Sequence, residues 1–160
     1  MPLQGVGAAH PLSQPLTAFF ASRRCPGAAI RAGTDWALTQ ARAKQAVVSG
    51  FHSLLEQSAL KLLLQAKSPV VVVIARPIKG ARLDAAWLTA IMENRMVVVS
   101  SHTASGRLSK ILAAERNDVA ALMANRIVIA HADPSGTLGA ALARWRSAGA
   151  DIELLSGCVG

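Results

Sequence analysis

Tyrosine is absent from this 160-residue chain, and aromatic side chains make up only 4% of it. A core built on rings is therefore excluded. The apolar 52% is mainly Ala, Val, Leu and Ile, a mixture suited to Ala-rich helices covering a Val- and Ile-rich sheet. Cysteine is scarce too. Cys25 and Cys158 lie far apart and form no Cys-x-x-Cys pair, which argues against a zinc site. Residues 1–15 lack both a basic start and a continuous apolar stretch. No secretory leader is expected, and the thiols read as reduced in a cytoplasmic protein. The longest apolar run, residues 70–75, is far too short to span a bilayer. Missing as well are Gly-x-x-x-x-Gly-Lys-Ser/Thr, a Gly-x-Gly-x-x-Gly after the first strand, and Gly-x-Ser-x-Gly. Their absence argues against P-loop hydrolysis, ordinary nicotinamide dehydrogenation and acyl-transfer hydrolysis.

What the chain does carry is positive charge. Lys and Arg total 17 against 9 Asp and Glu, a formal net charge of +8. Such a balance favours anionic partners: nucleic acid, nucleotides or a membrane surface. No run of Lys and Arg is long enough to be a tail. With so few acidic residues, a carboxylate-built metal site is not expected.

Periodicity divides the chain into alternating strands and helices. Strands are expected at residues 16–22, 45–49, 70–75, 96–100, 126–130 and 151–155. Helices are expected at 28–44, 53–66, 85–93, 107–124 and 137–148, with Asp84 capping the third and Gly149 ending the last. Residues 1–15, with three prolines, two glycines and no charge, read as an irregular lead-in, and 156–160 as a tail. The alternation predicts one α/β domain over 16–155, with a mainly parallel sheet of about six strands.

Ligands in such sheets sit beyond the carboxyl ends of the strands. The turns there are polar. Ser22, Arg23 and Arg24 follow the first strand, and two guanidiniums suit a planar grip on phosphate. Ser49, Gly50 and His52 follow the second, with Gly50 read as letting a ligand approach the backbone. Ser100, Ser101, His102 and Thr103 follow the fourth. Ser135, Gly136 and Thr137 open the last helix, whose first N–H groups and positive dipole end suit an anion; Ser135 reads as its N-cap. The histidines are read as satisfied or exposed side chains, and Trp36, Trp87 and Trp145 as helix-packing residues. The pocket is read as one for a phosphorylated ligand, with no catalytic residue, metal or cofactor assigned.

These residues resemble the DprA/Smf family of DNA-processing proteins, in the superfamily that includes the lonely-guy-type phosphoribohydrolases. Phe20-Ala21-Ser22-Arg23-Arg24, a helix, and Val47-Val48-Ser49-Gly50 are similar to the family's Gly-Ser-Arg turn, helix and Ser-Gly turn. Arg116-Asn117, then Asn125 to Ile129, then Ser135-Gly136-Thr137-Leu138 are similar to its Arg-Asn pair, strand and Ser-Gly-x-Leu helix start. The order holds over about residues 16–155. The resemblance implies a Rossmann-like three-layer fold and adds Arg116 and Asn117 to the site. It further implies binding of single-stranded DNA or a nucleotide, a homodimer, a RecA-type recombinase as partner, and no membrane partner. The family's winged-helix module is not expected in this length. Glu56 stands where the family has Asp, and Leu60 where it has His. A phosphoribohydrolase would need a Glu at Ala140 or Ala141. That enzyme and a nucleotide-sensing module are the alternative readings.

Overall fold

Val70–Val73 forms a strand whose four side chains are all buried, as a strand covered on both faces requires. In the computed structural model, which describes residues 3–7, 9–101 and 110–155, this strand lies inside a seven-stranded sheet. In chain order the elements are β1 (Gln4–Gly7), a 3-10 turn (His10–Ser13), β2 (Leu16–Ala21), α1 (Gly27–Ala43), β3 (Ala46–Ser49), α2 (Leu54–Gln65) and β4 (Val70–Val73). Then come α3 (Ala85–Met92), β5 (Met96–Ser100), α4 (Lys110–Met123), β6 (Arg126–His131), α5 (Thr137–Ser147) and β7 (Ile152–Leu154). Across the sheet the order is β1-β5-β4-β3-β2-β6-β7, parallel throughout except for β1, which runs antiparallel to β5.

Alternate residues of each strand feed opposite cores. On β2, Phe19 stacks on Trp36 of α1 with centroids 4.8 Å apart, while Phe20 meets Trp145 of α5 at 4.9 Å. Val70 and Val72 join the core under α1, α2 and α3; Val71 and Val73 join the one under α4 and α5. The three layers expected of a Rossmann-like fold are therefore present, and the tryptophans pack as expected.

Three expectations are corrected. Gln4–Gly7, read as irregular, is an edge strand, which makes the sheet seven-stranded rather than six-stranded. Its Gln-Gly-Val-Gly sequence has one β-former, and the glycines are what seat it: a Cβ on Gly7 would lie 2.4 Å from the Met96 carbonyl oxygen. Asp84 stands at the N-cap of α3 as expected, but its side chain makes no capping bond. The N-cap of α5 is Gly136, not Ser135. The expectations at His102, Thr103, residues 107–109, Cys158 and the tail lie outside the described residues.

From β2 the chain steps to β3 on one side, and β6 returns on the other. The reversal falls between β2 and β6, where the register shifts near Phe20 and Ala21. In α/β sheets this reversal opens the ligand crevice.

Candidate phosphate-binding site

The crevice between β2 and β6 is stitched by one serine. Ser22 donates its N–H to the His131 carbonyl at 2.8 Å, and its hydroxyl oxygen accepts the Asp133 N–H at 2.7 Å. Ser22 is buried, so its hydroxyl fixes the two turns to each other. Arg23 and Arg24 follow it and are exposed. Cys25 donates its thiol to the Ser22 carbonyl, and burial pushes its pKa up, with the Glu56 charge adding to the effect.

The second turn is more tightly built. Ser49 is fully buried, and its hydroxyl accepts the Phe51 N–H at 3.0 Å. That bond holds Phe51 at φ 49°, a left-handed conformation costly for a bulky residue by roughly 1–3 kcal/mol. Gly50 is partly exposed, and the space on its side-chain side is filled. A Cβ there would lie 2.4 Å from Nε of Arg116, so the glycine makes room for a guanidinium arriving from α4 on the other face. Arg116 is 7% exposed, and its Nε has no hydrogen-bond partner among the described residues. Burial lowers its pKa, and the nearby Glu56 carboxylate works against that fall.

Glu56 is the residue that reading the turns one by one misses. It is 4% exposed and joins the two turns. Oε2 accepts the Ala21 N–H at 2.9 Å, at the end of β2. Oε1 accepts the N–H groups of His52 at 2.8 Å and Ser53 at 3.2 Å, at the start of α2. Ser53 accepts the Glu56 N–H in return, completing a capping box. Ser53-Leu54-Leu55-Glu56 carries that signal in sequence; the bond to Ala21 has none. A carboxylate is required because both oxygens accept and neither donates. His52 is exposed overall, but partial desolvation of its ring and then the Arg116 charge lower its pKa; Glu56 opposes, and Arg23 adds a smaller push in the same direction as Arg116. Arg23, His52, Glu56 and Arg116 thus share one electrostatic neighbourhood.

The third turn is open. Asp133 accepts the Ser135 N–H at 3.0 Å and its hydroxyl at 2.9 Å through one carboxylate oxygen. These two bonds hold the Asp133 carboxyl below the usual carboxylate range. α5 then begins at Thr137 with Gly136 as its N-cap and no side chain capping it, and the Asp133 carboxylate stands in the turn just before it. Gly139 seats the turn on the helix, since a Cβ there would lie 2.3 Å from the Asp133 carbonyl oxygen. Asn117 follows Arg116 on α4; it is half-buried, and its Oδ1 has no partner among the described residues. The structure therefore joins Ser22 to the Asp133 turn and Gly50 to Arg116, and it makes Ser49 part of the scaffold.

Among the described residues no helix is long and apolar enough to cross a membrane. The sequence profile of a family described as DNA recombination-mediator protein A matches residues 2–148. No curated protein sequence matches the chain. Among solved structures, DNA processing protein A (DprA) from Streptococcus pneumoniae superposes with a TM-score of 0.76 at 19% identity, over 94% of this chain and 53% of that one. The chain thus spans about half the length of that protein. DNA processing protein A from Helicobacter pylori, characterised by its single-stranded DNA binding mode, superposes with a TM-score of 0.74 at 16% identity, over 94% of this chain and 69% of that one. The molybdenum cofactor carrier protein from Chlamydomonas reinhardtii follows with a TM-score of 0.60 at 14% identity, over 88% and 76% of the two chains. At these identities the structures share the fold.

Proposed function

This chain belongs to the DNA recombination-mediator protein A family, and from that premise we propose that its strand edge binds the phosphates of single-stranded DNA in DNA processing or recombination. The observation that carries the reading is the buried Arg116 lying across Gly50, beside the Arg23 and His52 turns. This guanidinium keeps its charge beside the strand ends, with the Glu56 carboxylate offsetting part of it. Arg23 and Arg24 supply exposed charge, and the Ser135-Gly136-Thr137 turn supplies N–H groups at a helix start. Ser22, Ser49, Gly50 and Asn117 hold these groups in place. The reading is supported by what is described for the Helicobacter relative, which binds single-stranded DNA. It requires no covalent step and no cofactor. Ala140 and Ala141 offer no carboxylate where a phosphoribohydrolase would need one. One folding unit over residues 16–155 with the β1 edge strand added, a homodimer, a RecA-type recombinase as partner and a cytoplasmic location belong to the same proposal.

Fluorescence anisotropy of a labelled oligothymidylate across a salt series tests it. Affinity is expected to fall steeply with salt, log K losing about 0.7 per phosphate contact for each decade. Replacing Arg23 and Arg24 together with Ala is expected to lower that slope by about one to two contacts. Absence of binding at low salt overturns the reading.

A further inference from the structure

His52 lies between Gly50 and the start of α2, and the fold gives its ring no task. Its backbone is fully engaged: the N–H goes to Glu56 Oε1 at 2.8 Å, and the carbonyl accepts the Gln57 side-chain amide at 2.7 Å. The residue is exposed, and among the described residues nothing bonds to the ring. The turn it belongs to follows β3, one strand spacing of about 5 Å from the turn after β2. Three elements bring charge to the imidazole: Arg116 from α4, Glu56 from α2, and Arg23 from the turn after β2. Two guanidiniums stand against one carboxylate, and Glu56 spends both oxygens on backbone N–H groups. Partial desolvation and then these cations hold the pKa of the ring below the ordinary histidine value. An anion seated among the same groups reverses the balance. It offsets the cations that disfavour a proton, and it accepts the hydrogen bond that a protonated ring can donate.

Resting on the DNA-binding reading above, we propose that His52 is a proton-dependent phosphate contact: a phosphate seated between the turns after β2 and β3 draws a proton onto the ring, and the charged ring then holds that phosphate. Binding and protonation are linked. The bound form keeps the proton more strongly than the free form, so affinity rises as pH falls through the titration of the bound ring and levels off below that of the free ring. Above both, the ring is neutral in either form and adds no charge. Strand binding at this edge is therefore sensitive to mild acid through one side chain.

The test is the affinity of the full chain for a labelled oligothymidylate at about pH 5.5 and about pH 8, a range in which neither thymine nor a phosphodiester titrates. At low salt the native chain is expected to bind roughly two- to fivefold more tightly at the lower pH. Its salt slope there should be steeper by about 0.7, one further contact. His52→Gln keeps Arg23, Arg116, Glu56 and the backbone bonds, so any response from those groups persists in it; it is expected to match the native chain at the higher pH and to show no gain at the lower. His52→Arg, charged throughout, is expected to bind at the higher pH as tightly as the native chain does at the lower. His131→Gln, at the end of β6, should keep the native response. Equal native affinity at the two pH values overturns the histidine proposal and leaves phosphate binding standing. So does a response that survives in His52→Gln or vanishes in His131→Gln, or an Arg variant that binds no better than the native chain at the higher pH. No binding at either pH at low salt removes both proposals together.

Discussion

At the ends of β2 and β3 the polar groups are locked by buried partners, whereas at the end of β6 they are held by a local turn in water. Glu56 grips three backbone N–H groups from two segments, and Arg116 fills the space over Gly50. The Asp133 turn relies on bonds to its own neighbour Ser135 and on one tie to Ser22. Both regions present groups suited to an anion at the same edge of the sheet. Only the first does so at a cost in stability, through a desolvated cation and a left-handed Phe51. Pre-organisation of that kind spends folding energy so that little ordering remains when a ligand arrives.

The largest effect should come from Glu56→Ala. It leaves the Ala21, His52 and Ser53 N–H groups without acceptors and Arg116 without its nearby counter-charge. Each unsatisfied buried donor costs about 1–3 kcal/mol, and water can reach the His52 side, so a total loss of about 3–5 kcal/mol is expected in urea denaturation. Glu56→Gln should fall between this and the native chain, because its amide nitrogen must face a donor at one of the two positions. A loss under about 1 kcal/mol for Glu56→Ala would show that the β2–β3 edge is no more locked than the β6 turn.

The two glycines give a direct contrast. In Gly50→Ala the new methyl meets Arg116 Nε at 2.4 Å and Cδ at 2.6 Å, with a buried side chain that has little room to retreat. An overpacking loss of about 1–3 kcal/mol is expected, a fall of several degrees in Tm. In Gly136→Ala the nearest atom is Asp133 Cβ at 3.5 Å, ordinary contact, and the cost should be that of a poorer N-cap, about 0.5–1 kcal/mol. Matching Tm values for the two variants would remove the distinction between the regions.

The same contrast sets what the sequence makes legible. The Val-rich strands, the start of α2 at Ser53 and the Ser135-Gly136-Thr137 start of α5 are local patterns, so reading along the chain finds them. The Asp133 side of the crevice is legible for that reason. The locked side is only half so. Arg23 and Arg24 stand out as a basic turn, but the meaning of Gly50 depends on a side chain from α4, which crosses the opposite face of the sheet. Glu56 stands out in the sequence only as taking the place of a family Asp; its bond to Ala21 exists because β2 and β3 are neighbours. β1 escapes reading because its partner β5 lies far along the chain and Gln-Gly-Val-Gly has almost no strand propensity of its own.

The smallest effect tests the open turn. Asp133 is exposed and its carboxyl is held below the usual carboxylate range, because Ser135 donates both its N–H and its hydroxyl to one oxygen. A fixed negative charge therefore stands at the mouth of α5, where a phosphate would meet the helix start. Asp133→Asn keeps an acceptor oxygen for Ser135 and the backbone tie to Ser22, so the turn should persist while the charge goes. Affinity for single-stranded DNA is expected to rise about two- to threefold at low ionic strength, and the gain should fade as salt is added. Asp133→Ala removes the charge and both bonds to Ser135, so any gain from charge should be offset by a looser helix start. An Asn variant that binds no better than the native chain would mean that the strand does not pass over α5. The phosphates would then rest on Arg23, Arg24 and the charge of Arg116, and the locked region would be the whole of the binding surface.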